Sequence, residues 1–342
     1  MDTFTYTASP RRVIFGSGLI NKLLAEIEML KCAAPLLLSS ARHRNLSDQL
    51  AGVLHGSTIK LAGTFNGAIM HTPTVVTENA VQCLKIMSAD CVISVGGGSV
   101  VGLGKAVSVC AGVPHLAVPT TFSWSEMTPI LGETQEGRKT TRSGPSILPS
   151  TVIYDVDLSM SVPPSTCTVS GINAMAHAVE AIYAKNCNPI ISMWAHAGIK
   201  SLAESLPQIV ADPSAKPARK KARFGAWLCG MCLGSSTMAL HHKLCHTLGR
   251  SLGLSHAETH HSAALSNSQG DAILALNSLL DKLGAPRALR DLGMLEEDIN
   301  RAADIAMSNQ YENPRALERD SIRELIRRAW SGEDARVARL CK

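Results

Sequence analysis

The chain has 342 residues, 45% of them apolar and 18% charged, with a formal net charge of +5. At roughly 150 residues per domain that is about two domains, and the apolar fraction excludes a disordered chain. The charge is too mild for a nucleic-acid-binding arm but suits a small anionic substrate. No apolar run nears the ~20 residues of a membrane helix, and the first residues form no apolar signal segment. The ten scattered cysteines then read as reduced core thiols of a cytoplasmic protein, Cys229 and Cys232 of the CxxC among them.

Taken in chain order, short apolar runs at 12–15, 35–39, 57–61, 91–95, 115–118 and 151–154 alternate with amphipathic stretches such as 19–30 and 74–87. Strands alternating with helices predict a parallel, doubly wound sheet. After Asp155 the strand signals vanish. Helical periodicity then runs through 165–185, 189–211, 215–233 and 236–249 and on to the end. The expected organisation is an α/β N-terminal domain, residues 1–157, plus an all-α C-terminal domain, residues 158–342.

Val95 closes an apolar strand, and Gly96-Gly97-Gly98-Ser99 opens the next helix. Glycines let backbone N–H groups approach a ligand and a helix N-terminus favours an anion, so this turn suits a phosphate. It is neither the usual GxGxxG, because residue 101 is Val, nor a P-loop, because Ala106 follows Lys105. Thr120 and Thr121 end another strand, where open α/β sheets bind their ligands. Gly102 and Gly104 weaken their own helix by ~1 kcal/mol each, which points to something approaching it closely, a ligand or a tightly packed neighbour.

Histidine is crowded: six of the 12 fall within residues 241–261. Asn173 and His177 are an i,i+4 pair, as are His242 and His246, and His256 follows beyond Gly249. Side chains from two helices and a loop can converge as metal ligands do. Ordinary surface histidines remain the alternative, and surface placement is the expectation for His241, His260 and His261. Arg219-Lys220-Lys221 reads as a solvated helix face.

Together, Gly96-Gly97-Gly98-Ser99, Pro119-Thr120-Thr121, Ser125-Glu126-Met127-Thr128, Asn173 with His177, and His242, His246 and His256 resemble the iron-containing (group III) alcohol dehydrogenases. The resemblance covers residues from about 10 to 265. It implies a nucleotide-binding α/β domain, a helical catalytic domain of the dehydroquinate synthase-like fold, an active site in the cleft between them, and a homodimer. Within the family the sequence is most similar to the maleylacetate reductase branch. That branch reduces maleylacetate to 3-oxoadipate with NADH or NADPH, late in aromatic-compound breakdown.

Carried over residue by residue, the metal-ligand positions are Asn173, His177, His242 and His256. Metal-dependent members have Asp at the place of Asn173. A neutral amide is a poor ligand, so the expectation is a degenerate site and no tightly held metal. The histidines then take other work: His242 and His246 as proton donor and enolate stabiliser, supported by His177, His256 and Asn173. Gly96, Gly97, Gly98, Ser99, Thr120, Thr121, Ser125 and Lys139 are the expected coenzyme residues, and Arg142 and Trp124 the expected substrate residues.

Three features depart from the family. Ser123-Trp124 stands where small residues, often Ala-Gly, are usual. The segment after His261 is shortened. Leu38-Ser39-Ser40 lacks an acid for a ribose hydroxyl and has Arg42 nearby, so NADPH suits it as well as NADH. The alternatives to a maleylacetate reductase are a diverged enzyme acting on another unsaturated or carbonyl substrate or by lyase or cyclase chemistry, and a non-catalytic ligand binder.

Overall fold

The apolar runs become a parallel sheet in the computed structural model, which describes residues 3–7, 12–54, 59–136, 138–251, 271–284, 286–308 and 313–334. The chain divides into two compact units, Met1–Val162 and Pro163–Lys342. That division lies a few residues beyond the boundary read from the sequence.

In the first unit the strands are β1 (Arg12–Gly16), β2 (Pro35–Leu38), β3 (Gly63–Phe65), β4 (Cys91–Gly96), β5 (His115–Pro119), β6 (Ile130–Gln135), β7 (Arg138–Ser143) and β8 (Thr151–Asp155). Six form one parallel sheet in the order β1-β8-β5-β4-β2-β3. The strands β2, β4, β5 and β8 are buried along their whole length, as a sheet covered on both faces requires. Its helices are α1 (Leu23–Met29), α2 (Arg44–Leu54), α3 (Thr74–Ile86) and α4 (Gly98–Ala111). Neighbouring residues of β2 serve different cores. Leu37 packs with Leu23, Ile27 and Leu50, whereas Leu36 and Leu38 pack with Ala80, Leu84 and Leu103. Successive strand side chains point to opposite faces, so helices cover both sides.

One sequence expectation changes here. The strand expected at 57–61 is Gly63–Phe65, although the chain already runs beside β2 from Lys60, whose N–H donates to Ala33 O at 2.9 Å. Lys139 and Arg142, expected to meet coenzyme and substrate, lie on β7 of the antiparallel hairpin β6–β7. Its polar and charged composition suits a small ribbon rather than a buried strand.

The second unit is helical: α5 (Pro164–Tyr183), α6 (Pro189–Ala211), α7 (Lys216–Ser235), α8 (Leu240–Ser251), α9 (Asp271–Leu283), α10 (Asp298–Ser308) and α11 (Arg319–Ser331). Pro at the first turn starts α5, α6 and α7, and Asn188 caps α6 by accepting the N–H groups of Ile190 and Ile191 at 3.0 and 3.1 Å. Cys229 and Cys232 are fully buried on α7, and burial pushes both thiols up, Cys232 to about 12. Arg219 corrects the solvated-face expectation. It is 1% exposed, and its guanidinium donates to Pro213 O at 2.8 Å and to Cys167 Sγ at 3.5 Å. Only Lys220 and Lys221 of that run face solvent. No helix among the described residues is long and apolar enough to cross a membrane.

Candidate functional site

In the first unit the site is built around the turn from β4 into α4. Gly96 has φ 151°, and a Cβ there would lie 2.6 Å from Val100 Cγ2, so only glycine fits. Val100 and Val101 close the first turn of α4 by donating to Gly97 O at 2.9 and 3.1 Å. A Cβ on Gly97 would lie 3.2 Å from Thr121 Oγ1, and one on Gly98 would lie 3.3 Å from Ser123 Cβ and 3.9 Å from Ser125 Oγ. The chain after β5 thus surrounds the helix N-terminus with hydroxyl side chains, and Ser99 is the second residue of α4. Thr120 Oγ1 and Ser125 Oγ are buried without a hydrogen-bond partner among the described residues. Such groups cost about 1–3 kcal/mol each unless a ligand satisfies them.

The two helix glycines have a different explanation. A Cβ on Gly104 would fall 2.3 Å from His115 Nε2, and one on Gly102 would fall 2.7 Å from Thr72 Oγ1. The close approach expected there comes from the protein's own side chains. His115 shares a 2.7 Å hydrogen bond with Ser94 Oγ, and burial, then the charge of Lys105, pushes its pKa down to about 3.

Lys105 is buried at 1% exposure and clamps the following segment. Its ammonium donates to Ser125 O, to Thr128 O at 2.8 Å, to Ile130 O at 3.0 Å and to Thr128 Oγ1 at 3.1 Å. Burial pushes its pKa down to about 7, against the pull of Glu126. From the other side, Tyr154 donates to Glu126 Oε1 at 2.7 Å and Ser123 to Glu126 Oε2 at 3.3 Å. Between these anchors Trp124 is held at φ 53°, ψ −9°. A left-handed conformation costs a non-glycine residue about 1–3 kcal/mol and persists only where the surroundings enforce it.

At the end of β2, Ser40 Oγ pairs with His43 Nδ1 at 2.8 Å, and that nitrogen lies 3.6 Å from where a Gly96 Cβ would be. The adjacent Arg42 is exposed, and no carboxylate occurs from Ser39 to Arg44. On β7, Arg142 pairs with Glu133 Oε2 at 2.7 Å, and Thr77 donates to the other oxygen of Glu133 at 3.3 Å. Its guanidinium therefore already serves the hairpin.

In the second unit Asn173, His177 and Glu180 follow one another on one face of α5 and are all buried. Glu180 Oε2 accepts the Nδ1–H of His242, and Oε1 accepts the N–H of Ala239 at 2.8 Å and of His242 at 3.4 Å. Burial alone would raise the Glu180 pKa. The hydrogen bond and charge of His242 outweigh it and hold the carboxyl below its ordinary value. The His177 ring stacks on His242 with centroids 4.2 Å apart. The surface expectation for His241 is corrected: it is 7% exposed and lies edge-on to His242.

His246 lies on α8, but its side chain is outside the described set, as is that of Lys139 on β7. His256, His260, His261 and the shortened segment after them lie outside the described residues.

The described donors at the expected metal position are two imidazoles and the Asn173 amide, whose Oδ1 is buried without a hydrogen-bond partner among the described residues. Glu180, the carboxylate in contact, is spent on His242 and the start of α8. Two imidazoles and a neutral amide make a weaker set for a divalent cation than one that includes a carboxylate. Sequence reading singled out neither Glu180 nor Lys105. Glu180 was legible as the residue three beyond His177 on the same helix face. Lys105 was legible as the one cation in an apolar helix.

A family model for iron-containing alcohol dehydrogenases matches residues 10–156, and its C-terminal counterpart matches 167–269 and 261–330. The chain belongs to the iron-containing alcohol dehydrogenase family and is an oxidoreductase. It is 43% identical to maleylacetate reductase 1 of Rhodococcus opacus over 96% of this chain and 97% of that one. It is also 43% identical to the maleylacetate reductase of Rhizobium sp. strain MTP-10005, over 97% and 99%. The crystal structure of maleylacetate reductase from Agrobacterium tumefaciens superposes with a TM-score of 0.93 at 41% identity, covering 98% of this chain and 100% of that one.

Proposed function

We propose that this protein is an NAD(P)H-dependent maleylacetate reductase that forms 3-oxoadipate. The observation that carries the reading is near-full-length likeness to maleylacetate reductases in a chain that keeps the glycine turn and buries Asn173, His177 and His242 together. The turn at Gly96, Gly97, Gly98 and Ser99, with Thr120, Thr121 and Ser125, binds the coenzyme pyrophosphate through backbone N–H groups and hydroxyls. With no carboxylate after β2 and Arg42 exposed there, NADPH is accepted as well as NADH.

Held at that turn, a reduced nicotinamide would supply a hydride for the C=C conjugated with the ketone, so that negative charge develops on the ketone oxygen as an enolate. A proton then returns to the carbon next to the ketone, giving the saturated product and NAD(P)+. Glu180 orients His242 through Nδ1–H, and Nε2 is the nitrogen assigned to hydrogen-bond the developing enolate and deliver the proton. His177 packs against that ring and fixes its plane. His246 and His256 support this role, and Asn173 supplies a neutral amide to the substrate. The donor set supports catalysis without a tightly held metal, despite the family's name. Residues 1–157 serve as the coenzyme domain and 158–342 as the catalytic domain of a cytoplasmic homodimer. Following nicotinamide absorbance with maleylacetate and each reduced coenzyme tests the reading. Turnover supports it, and no turnover together with no nucleotide binding by calorimetry overturns it.

A further inference from the structure

We propose that Trp124 is a coenzyme-contacting residue whose indole packs against the nicotinamide end of the bound dinucleotide. The proposal rests on the nucleotide reading above. Three observations carry it.

The first is conformational. Trp124 sits at φ 53°, a conformation that favours glycine, and two independent anchors hold it there: the Lys105 ammonium on Ser125, Thr128 and Ile130, and Glu126 between Ser123 and Tyr154. Enforced left-handed backbone of this kind gathers at ligand sites. The second is location. The residues on either side, Ser123 and Ser125, are those that meet Gly98 at the start of α4. The third is topology. In the sheet β4 lies between β2 and β5. A dinucleotide with its pyrophosphate at the β4 turn and one ribose at the end of β2 extends its other half toward the chain after β5, where Trp124 lies.

Trp124 is half-buried. A planar nicotinamide stacks on an indole, and its oxidised, cationic form adds a cation–π attraction. The other three tryptophans, Trp194, Trp227 and Trp330, all belong to the second unit.

The test titrates NAD+ and NADP+ into wild type, W124F and W124G, reading tryptophan fluorescence and calorimetric affinity. The wild type is expected to show quenching that W124F lacks. W124G should lose about threefold to tenfold in affinity, and W124F, which keeps a ring, should lose less. W124G should melt no lower than wild type, because glycine accepts the backbone freely, which separates lost contact from lost fold. Quenching that persists in W124F, or W124G binding as tightly as wild type or tighter, overturns the proposal while leaving the nucleotide reading intact. Failure of the wild type to bind either nucleotide overturns both.

Discussion

Glu180 on α5 takes the Nδ1–H of His242 on α8 and, with its other oxygen, the backbone N–H groups that open α8. One fully buried carboxylate therefore fixes both where the helix starts and how its histidine is oriented. Removing such a carboxylate from water costs several kcal/mol, and four hydrogen bonds, one of them from Tyr183 Oη at 3.5 Å, offset that cost.

Glu180→Gln should therefore lower kcat by about 10–100-fold, the usual loss when a partner orienting a functional histidine is removed, with little change in coenzyme affinity. Steady-state kinetics with calorimetry of the reduced coenzyme checks this. A kcat close to wild type would show that Glu180 only starts the helix.

Lys105 gives a pH signature. An unfolded lysine keeps its proton to about 10.5, whereas buried Lys105 releases it near 7. Between those values the unfolded chain binds the extra proton. Unfolding free energy therefore rises with pH across that window on account of this residue, and the gain is lost as pH falls back to about 7. Urea unfolding of wild type and K105M at several pH values reads the difference. The slope should be shallower in K105M, and parallel slopes would contradict the assignment.

The parts of the fold legible in the sequence were those written by local pattern. Fully apolar runs gave β2, β4, β5 and β8, and helical periodicity with proline starts gave α5, α6 and α7. The glycine turn was legible because a strand, three glycines and a helix follow one another directly. The hairpin β6–β7 was not, because Thr and charged residues on a small ribbon carry no apolar alternation. The burial of Arg219 and Lys105 was not legible because it depends on partners far along the chain, Cys167 for Arg219 and the carbonyls after β5 for Lys105. Those on Lys105 lie on residues 125 to 130. The Glu180–His242 pair spans 62 positions, and spacing on one helix shows only half of it.

Gly96→Ala places a Cβ 2.6 Å from Val100 Cγ2 on a backbone at φ 151°. The variant should lose about 1–3 kcal/mol of stability and, with the turn displaced, at least about tenfold in coenzyme affinity. Thermal melting and coenzyme titration check both, and wild-type coenzyme affinity in G96A would remove the glycine turn from the site.

Asn173→Asp returns an anionic donor beside His177 and His242. Its affinity for zinc or ferrous ion, read by calorimetry on chelator-treated protein, should exceed that of wild type. Equal, tight binding by wild type would show that the amide suffices as a ligand.

The most direct test is the rate of nicotinamide oxidation by chelator-treated enzyme supplied with maleylacetate, with H242A alongside. The account predicts sustained turnover to 3-oxoadipate without added metal and a loss of about 100-fold or more in H242A. Turnover that stops on chelation and returns with iron or zinc, or an H242A rate equal to wild type, would contradict it.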